Sequence, residues 1–184
     1  MNEMLQTVSP IDNSIYLEKP YASDKDIQHT IELAKKVQAA WKSTSIAERA
    51  EICLAFVEAI LSKQSELAEE ITWQMGRPIQ YAAGEISGFA DRARYMIRIA
   101  ENKLKNIQVE KISGFKRFIQ REPVGVVLIM SPWNYPYLTA VNTVIPAIMA
   151  GNVVILKPSA QAPLVAERMQ QAFEATQLPE GVFQ

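Results

Sequence analysis

Residues 124–159 read VGVVLIMSPWNYPYLTAVNTVIPAIMAGNVVILKPS and combine two apolar runs with two polar turns. Val124–Met130 and Val153–Leu156 are unbroken apolar runs, typical of strands covered on both faces of a parallel sheet. The residues between them predict a helix, and Gly151 suits the left-handed position at which a helix ends. The stretch therefore predicts a β-α-β unit. Its helix has apolar residues at helical spacing: Leu138, Val141, Val144, Ile145, Ile148 and Met149.

Polar turns follow both predicted strands. Parallel strands of one β-α-β unit end at the same edge of the sheet, where open α/β sheets bind ligands. Ser131–Asn134 and Lys157–Ser159 are therefore expected to lie close together. Pro132 and Pro136 restrict the first turn and the freedom of the Asn134 amide. Taken by itself, this turn is also explained as a structural connection between strand and helix.

Four segments of the chain resemble signatures of the aldehyde dehydrogenase superfamily, in order and in spacing. The resemblance covers nearly all 184 residues but corresponds only to the front portion of a family member. It implies an enzyme that oxidises an aldehyde to a carboxylic acid with NAD or NADP, through thiolate attack, hydride transfer and thioester hydrolysis. The segments are Glu122–Val127, Ser131–Pro136, Ala147–Asn152 together with Lys157–Ser159, and Leu178–Phe183.

The resemblance also implies roles for individual residues. Asn134 stands at the position of the asparagine that stabilises the oxyanion formed when the aldehyde is attacked. A fixed amide N–H can stabilise that charge more than it stabilises the neutral substrate. Ala160 stands where many members that prefer NAD have a glutamate that repels a 2′-phosphate, so we expect NADP to be tolerated. The implied cofactor-binding positions are Met130, Ser131, Pro132, Trp133, Lys157, Ser159 and Ala160.

The chain departs from common expectations for such an enzyme in two ways. No G-x-G-x-x-G fingerprint follows Met130, so the dinucleotide site cannot be argued from that motif. The resemblance places the catalytic cysteine and glutamate beyond Gln184. Cys53 precedes the matched segments and lies on the apolar stripe of a predicted helix, where a thiol is a core residue. We therefore expect the chain alone to be inactive.

Composition narrows the function classes. The net charge of -1 argues against general affinity for nucleic acid. Val124–Met130, the longest clear apolar run, is too short to span a bilayer, and no charged-then-apolar leader precedes the first strands. A single cysteine excludes an intrachain disulfide and suits a reducing cytoplasm. His29 has no metal partner in the sequence pattern and is interpreted as a solvated helix residue, so no metal site is expected.

The first 106 residues are predicted to form a helical N-terminal part. Met1–Tyr21 suggests a small hairpin, and Ser23 with Asp26 can cap a helix whose apolar face includes Ile27, Ile31, Ala34 and Trp41. A second helix is predicted to begin with a capping box at Ser45 and Glu48, and its apolar stripe comprises Ile46, Ala50, Cys53, Val57 and Ile60. A third helix is predicted over Ser65–Met75 and ends at Gly76-Arg77-Pro78. A long helix is predicted over residues 79–101.

Residues 107–122 are predicted to form a two-stranded ribbon around Ser113-Gly114. The resemblance implies that this arm takes part in subunit contacts of a homo-oligomer. From the residues alone, a solvated hairpin is equally plausible, although an isolated hairpin is marginally stable.

Residues 123–184 are predicted to begin a βαβαβ dinucleotide-binding sheet. After a further helix near Pro163, Val182-Phe183 opens a third parallel strand, and an exposed sheet edge is expected. The predicted fold is therefore α/β: a helical N-terminal layer plus part of a Rossmann-like parallel sheet, with a protruding β-ribbon. The alternative to an enzyme part is a noncatalytic, truncated or split product that serves as an assembly or binding module.

Overall fold

The chain begins with an antiparallel hairpin. In the computed structural model, which describes residues 3–184, β1 (Met4–Val8) pairs with β2 (Ile15–Pro20), and the register shifts between Thr7 and Val8. This confirms the predicted hairpin, of which Met1 and Asn2 lie outside the described residues. Thr7 and Ser9 are buried, so the hairpin packs against the body of the molecule.

Four helices follow the hairpin: α1 (Asp24–Lys42), α2 (Ile46–Leu61), α3 (Gln64–Met75) and α4 (Ile79–Leu104). Ser23 and Asp26 form a complete capping box at the start of α1. At α2 the predicted capping box is only half formed, because Ser45 Oγ accepts from Glu48 N (3.1 Å) while the exposed Glu48 carboxylate makes no return bond. α3 ends at Gly76, as predicted, and Gly76 adopts the left-handed conformation.

The predicted apolar face of α1 is wrong at one residue, Ile27. Ile27 is exposed, whereas the buried residues of the helix are Ala34 and Trp41. The helix therefore packs on the body through its second half, and its first turn projects into solvent. His29 lies in the first half of the helix and is exposed, as predicted.

A parallel β-α-β unit forms the second part of the molecule. β5 (Val126–Met130) pairs in parallel with β6 (Val153–Lys157), and α5 (Pro136–Met149) connects them. After α6 (Leu164–Glu174), residues 182–184 lie on the other side of β6, where Val154 N donates to Val182 O (2.8 Å) and Gln184 N to Val154 O (3.0 Å). The predicted third parallel segment is thus present.

The core lies between the helices and the sheet, and β6 is buried on both faces, since Val153 and Val154 point opposite ways and are both inaccessible. The rings of Phe56 and Phe173 stack with their centroids 3.7 Å apart, and Phe89 meets Phe56 edge-on at 5.7 Å. Cys53 is fully buried beside them in the same cluster, as predicted from its helical stripe.

The other face of β5 is not covered, contrary to the prediction for Val124–Met130. Leu128 and Met130 are 62% and 76% exposed, while Ile129, which points the opposite way, is buried. The helices that mainly contact β5 are α1 and α5. Burial of Ile129 indicates that the covered face is the one opposite Leu128 and Met130. The strand also begins at Val126 rather than Val124, because Gly125 adopts a φ of 116°.

The ribbon is a separate sheet of two very short strands, β3 (Ile107–Gln108) and β4 (Phe118–Ile119), which pair antiparallel. The predicted turn at Ser113-Gly114 is present, with Phe115 N donating to Ile112 O (3.1 Å) and Gly114 at a φ of 80°. Phe115 is 71% exposed at the tip. The role of residues 107–122 in subunit contacts, and the division into three parts, stay predictions.

Candidate active site at the sheet edge

The two predicted site turns meet at one edge of the parallel sheet. Met130 and Lys157 are partners in the β5–β6 register, and Ser131 N donates to Lys157 O (3.1 Å) just beyond the strands. Pro132, Trp133 and the Lys157 side chain are exposed there. The Ser131 hydroxyl is buried and has no hydrogen-bond partner among residues 3–184. The sheet thus brings together the residues that sequence reasoning assigned to one rim.

Asn134 lies in the first turn with its side chain exposed. Its Oδ1 accepts from Tyr135 N (3.1 Å), which fixes the plane of the amide. Neither Nδ2 proton has an acceptor among residues 3–184, so both are available as donors. A fixed, exposed amide with free N–H groups can stabilise a developing oxyanion.

The helix that follows this turn is capped by a residue that the sequence analysis missed. Glu85 on α4 is 3% exposed, and its Oε1 accepts from Tyr137 N (2.9 Å) and Leu138 N (3.3 Å) in the first turn of α5. Burial raises the pKa of Glu85, while these two N–H groups and the charge of Arg77 act in the opposite direction. The sequence feature that could have indicated this role is a carboxylate on the apolar stripe of α4, between Ala82 and Phe89.

Arg77 connects Glu85 to the Asn134 turn. Its Nη1 lies 3.2 Å from Glu85 Oε2, and its Nη2 donates to the backbone carbonyl of Asn134. The guanidinium also lies 3.9 Å from the ring centroid of Tyr135, a cation–π distance. Sequence reasoning used Arg77 only as part of a helix break.

The second turn is held by residues from the N-terminal hairpin and from its own loop. Ser159 Oγ accepts from Gln161 N (3.2 Å), and Thr7 Oγ1 donates to Ala160 O (2.9 Å). A cavity of about 300 Å³ borders this turn, and Lys19 and Glu167 form an ion pair in its lining. The Lys157 ammonium pairs with no carboxylate among residues 3–184 and is available to a ligand.

Cys53 contributes nothing to this edge. Burial raises the pKa of its thiol to about 12, so the thiol is protonated at neutral pH. Within residues 3–184, no three His, Cys, Asp or Glu side chains are grouped so that they could hold a metal ion. In the same part of the chain, every helix is too short or too polar to cross a membrane.

Comparison with known proteins adds a family and relatives. The sequence model of the aldehyde dehydrogenase family matches residues 1–184. N-succinylglutamate 5-semialdehyde dehydrogenase of Legionella pneumophila (strain Paris) is 29% identical over 181 residues, which cover 97% of this chain and 36% of that protein. The chain thus spans just over a third of the length of this curated relative.

Solved structures give the same picture. PnpE in complex with nicotinamide adenine dinucleotide superimposes with a TM-score of 0.92 at 30% identity, over 98% of this chain and 37% of that one. NADP-dependent glyceraldehyde-3-phosphate dehydrogenase from Bacillus halodurans C-125, complexed with NADP, gives a TM-score of 0.89 at 29% identity, over 99% and 39%.

Proposed function

The chain belongs to the aldehyde dehydrogenase family, and from this we propose that it forms the N-terminal part of an enzyme that oxidises an aldehyde to a carboxylic acid with NAD or NADP. The observation that carries the proposal is the single sheet edge at which the Asn134 turn is hydrogen-bonded to the Lys157 turn. In the complete enzyme, a cysteine thiolate outside residues 1–184 attacks the aldehyde and forms a thiohemiacetal.

Asn134 is proposed to stabilise the oxyanion of that intermediate. Its Oδ1 is held by Tyr135 N, so its Nδ2 donors are fixed before the substrate arrives. Donors that need no reorganisation stabilise the transition state more than the ground state. A rigid turn between β5 and α5 is what this role requires.

The edge residues also fit a nicotinamide dinucleotide. Met130 and Trp133 offer exposed apolar surface, and Lys157 offers a free ammonium beside Ser159, suited to a ribose or its phosphate. The cofactor, when bound, accepts hydride from the substrate; the residues of this chain bind and orient it. At Ala160 no carboxylate faces a 2′-phosphate, which favours tolerance of NADP.

Removal of the Asn134 amide tests the proposal. In the full-length enzyme, Asn134→Ala is expected to lower turnover by about a hundredfold or more and to leave cofactor binding nearly unchanged. Asn134→Asp should be worse, because it places a carboxylate next to developing negative charge. Asn102→Ala, an exposed asparagine on α4, is the matched control. Turnover of Asn134→Ala within about threefold of wild type, with chemistry rate-limiting, would return the turn to a purely structural role.

A second candidate rests on exposed apolar residues. Phe115 at the ribbon tip and Leu128 on β5 suit association with another protein surface, as expected of a noncatalytic assembly module. Cofactor titration together with an aldehyde oxidation assay separates the two proposals. A homo-oligomer that uses residues 107–122, and a cytoplasmic location, stay predictions.

A further inference from the structure

The first turn of α5 lacks a cap from its own N-terminal residues. Pro136 at the first helical position has no N–H, and the preceding residue, Tyr135, makes no side-chain cap. Helix starts leave N–H groups that need acceptors, usually a Ser, Thr, Asp or Asn at the N-cap. Here Tyr137 N and Leu138 N donate instead to Glu85 Oε1, from a residue 52 positions before Tyr137.

The other carboxylate oxygen of Glu85, Oε2, faces Arg77, which in turn contacts the Asn134 turn. Arg77 Nη1 lies 3.2 Å from Oε2, and both side chains are largely or fully removed from solvent. The second arm of the same guanidinium donates to Asn134 O, and the guanidinium carbon lies 3.9 Å from the centroid of the Tyr135 ring. Oε2 accepts no hydrogen bond among residues 3–184, so its contact with Arg77 is an ion pair, and the hydrogen bond of the guanidinium goes to Asn134 O. The guanidinium fork carries these two contacts on separate nitrogens, which a lysine ammonium cannot reproduce.

The contacts converge on the peptide group that joins Asn134 to Tyr135. The carbonyl of Asn134 is held by Arg77, and the next N–H, of Tyr135, is held by the Asn134 Oδ1 itself. Rotation of this turn therefore requires Arg77 to release the carbonyl. Displacement of the whole guanidinium from the turn would also separate it from the buried Glu85 carboxylate, and a buried carboxylate without its counterion is costly.

We propose that Glu85 and Arg77 are positioning residues for the Asn134 amide, coupling the N-terminus of α5 to α4 so that the Nδ2 donors stay aimed at the reacting oxygen. The inference rests on the proposed function, since it concerns the oxyanion donor of that reaction. Neither residue contacts the reacting atoms in this assignment. Both act through the geometry of Asn134.

A double-mutant cycle in the full-length enzyme tests the proposal. Arg77→Lys keeps the charge and removes the fork, and it is expected to lower kcat about tenfold while cofactor affinity stays within about twofold. In an Asn134→Ala background the same change should alter kcat by less than about twofold, because the amide that it positions is gone. Equal losses in both backgrounds, or no loss with Asn134 present, would overturn the proposal.

Matched controls come from a second ion pair on the same helix. Arg94 Nη2 lies 2.7 Å from Glu58 Oε1 at an exposed site remote in sequence from the Asn134 turn, so Arg94→Lys and Glu58→Gln should leave kcat unchanged. Glu85→Gln is the partner variant: it retains an acceptor for the α5 N–H groups and loses the ion pair. It is expected to lower kcat by a similar factor to Arg77→Lys and to be non-additive with it.

Amide hydrogen exchange separates failure of this inference from failure of the proposed function. Glu85→Gln should speed exchange at the Tyr137 and Leu138 amides, because a neutral amide oxygen is a weaker acceptor than a carboxylate, and this readout requires no catalysis. If Asn134→Ala itself leaves turnover within about threefold, the proposed function fails, whatever the exchange result. If Asn134→Ala is inactive while exchange and kcat are unchanged by Glu85→Gln and Arg77→Lys, only the positioning role fails.

Discussion

Ala160 is the residue on which cofactor choice is expected to depend. Its backbone carbonyl is held by Thr7 and its side chain is exposed, so a longer side chain can be placed there without disturbing the core. A carboxylate at this position would repel the 2′-phosphate of NADP and could accept from ribose hydroxyls of NAD.

The full-length enzyme should therefore use NAD and NADP with comparable kcat/KM, and Ala160→Glu should lower kcat/KM for NADP at least about tenfold while sparing NAD. Ala47→Glu, an exposed site on α2, controls for the added charge. A wild-type preference for NAD above about a hundredfold, nearly 3 kcal/mol, would contradict the prediction.

Cys53 provides a residue-scale prediction on pH. Burial raises the pKa of its thiol from 9.0 to about 12. Between pH 9 and 12 an unfolded thiol loses its proton while the folded one keeps it, so folding opposes ionisation in this window. Iodoacetamide at pH 8 and at pH 10 should therefore leave Cys53 unmodified in the native protein and alkylate it fully in urea, as read by mass spectrometry. Rapid alkylation of the native protein at pH 8 would show that Cys53 is accessible.

At the scale of elements, α5 is held at both ends by side chains from other helices. Glu85 of α4 caps its first turn. At the other end, Arg49 of α2 donates through Nη1 to Met149 O (2.7 Å) and through Nη2 to Thr44 O (2.7 Å). The helix that carries the Asn134 turn is thus oriented by its neighbours more than by its own capping residues.

Gly151 is the residue that lets Arg49 reach the end of α5. Its φ is 87°, and a Cβ there would lie 2.8 Å from Arg49 Nη1. Gly151→Ala should lower the free energy of unfolding of the 184-residue chain by about 2–4 kcal/mol, from backbone strain plus displacement of a buried arginine. Gly114→Ala is the control, since Gly114 has a similar φ of 80° and nothing near its Cβ position. Equal losses in urea denaturation would remove the Arg49 contact from the explanation.

At the scale of the whole molecule, two features bear on activity: an exposed face of β5 and the position of the cysteine. Leu128 and Met130 are exposed on β5, and the only thiol of the chain is in the core. Covalent aldehyde oxidation requires an accessible thiolate, and a dinucleotide held by few contacts binds weakly.

The 184-residue chain alone is therefore expected to show no aldehyde oxidation with saturating NAD or NADP and a broad panel of aldehydes, while the full-length enzyme is active in the same assay. Cofactor affinity of the chain, measured by titration, should be weak. Turnover by the purified chain that persists in Asn134→Ala and disappears in Cys53→Ser would contradict both the missing nucleophile and the core position of Cys53.

The sequence by itself determined the elements, the parallel β-α-β unit and the common edge of the Asn134 and Lys157 turns. Periodicity, capping residues and turn glycines are local signals that predict individual helices and strands. Because a parallel crossover has a fixed handedness, these elements also predict that the two turns lie at the same edge of the sheet. The same helical period correctly placed Cys53 in the core. The cofactor roles of the edge residues came from family resemblance and stay predictions.

Only the tertiary structure decided which distant side chains hold that edge. Glu85 caps a helix that begins 51 residues later, Thr7 binds the Ala160 loop, and the sheet face at Leu128 is bare where an apolar run predicted cover. Strand and helix patterns record the burial and backbone bonds of a segment. These patterns do not predict which side chain from a distant part of the sequence contacts the segment, because that contact depends on how the elements pack in three dimensions.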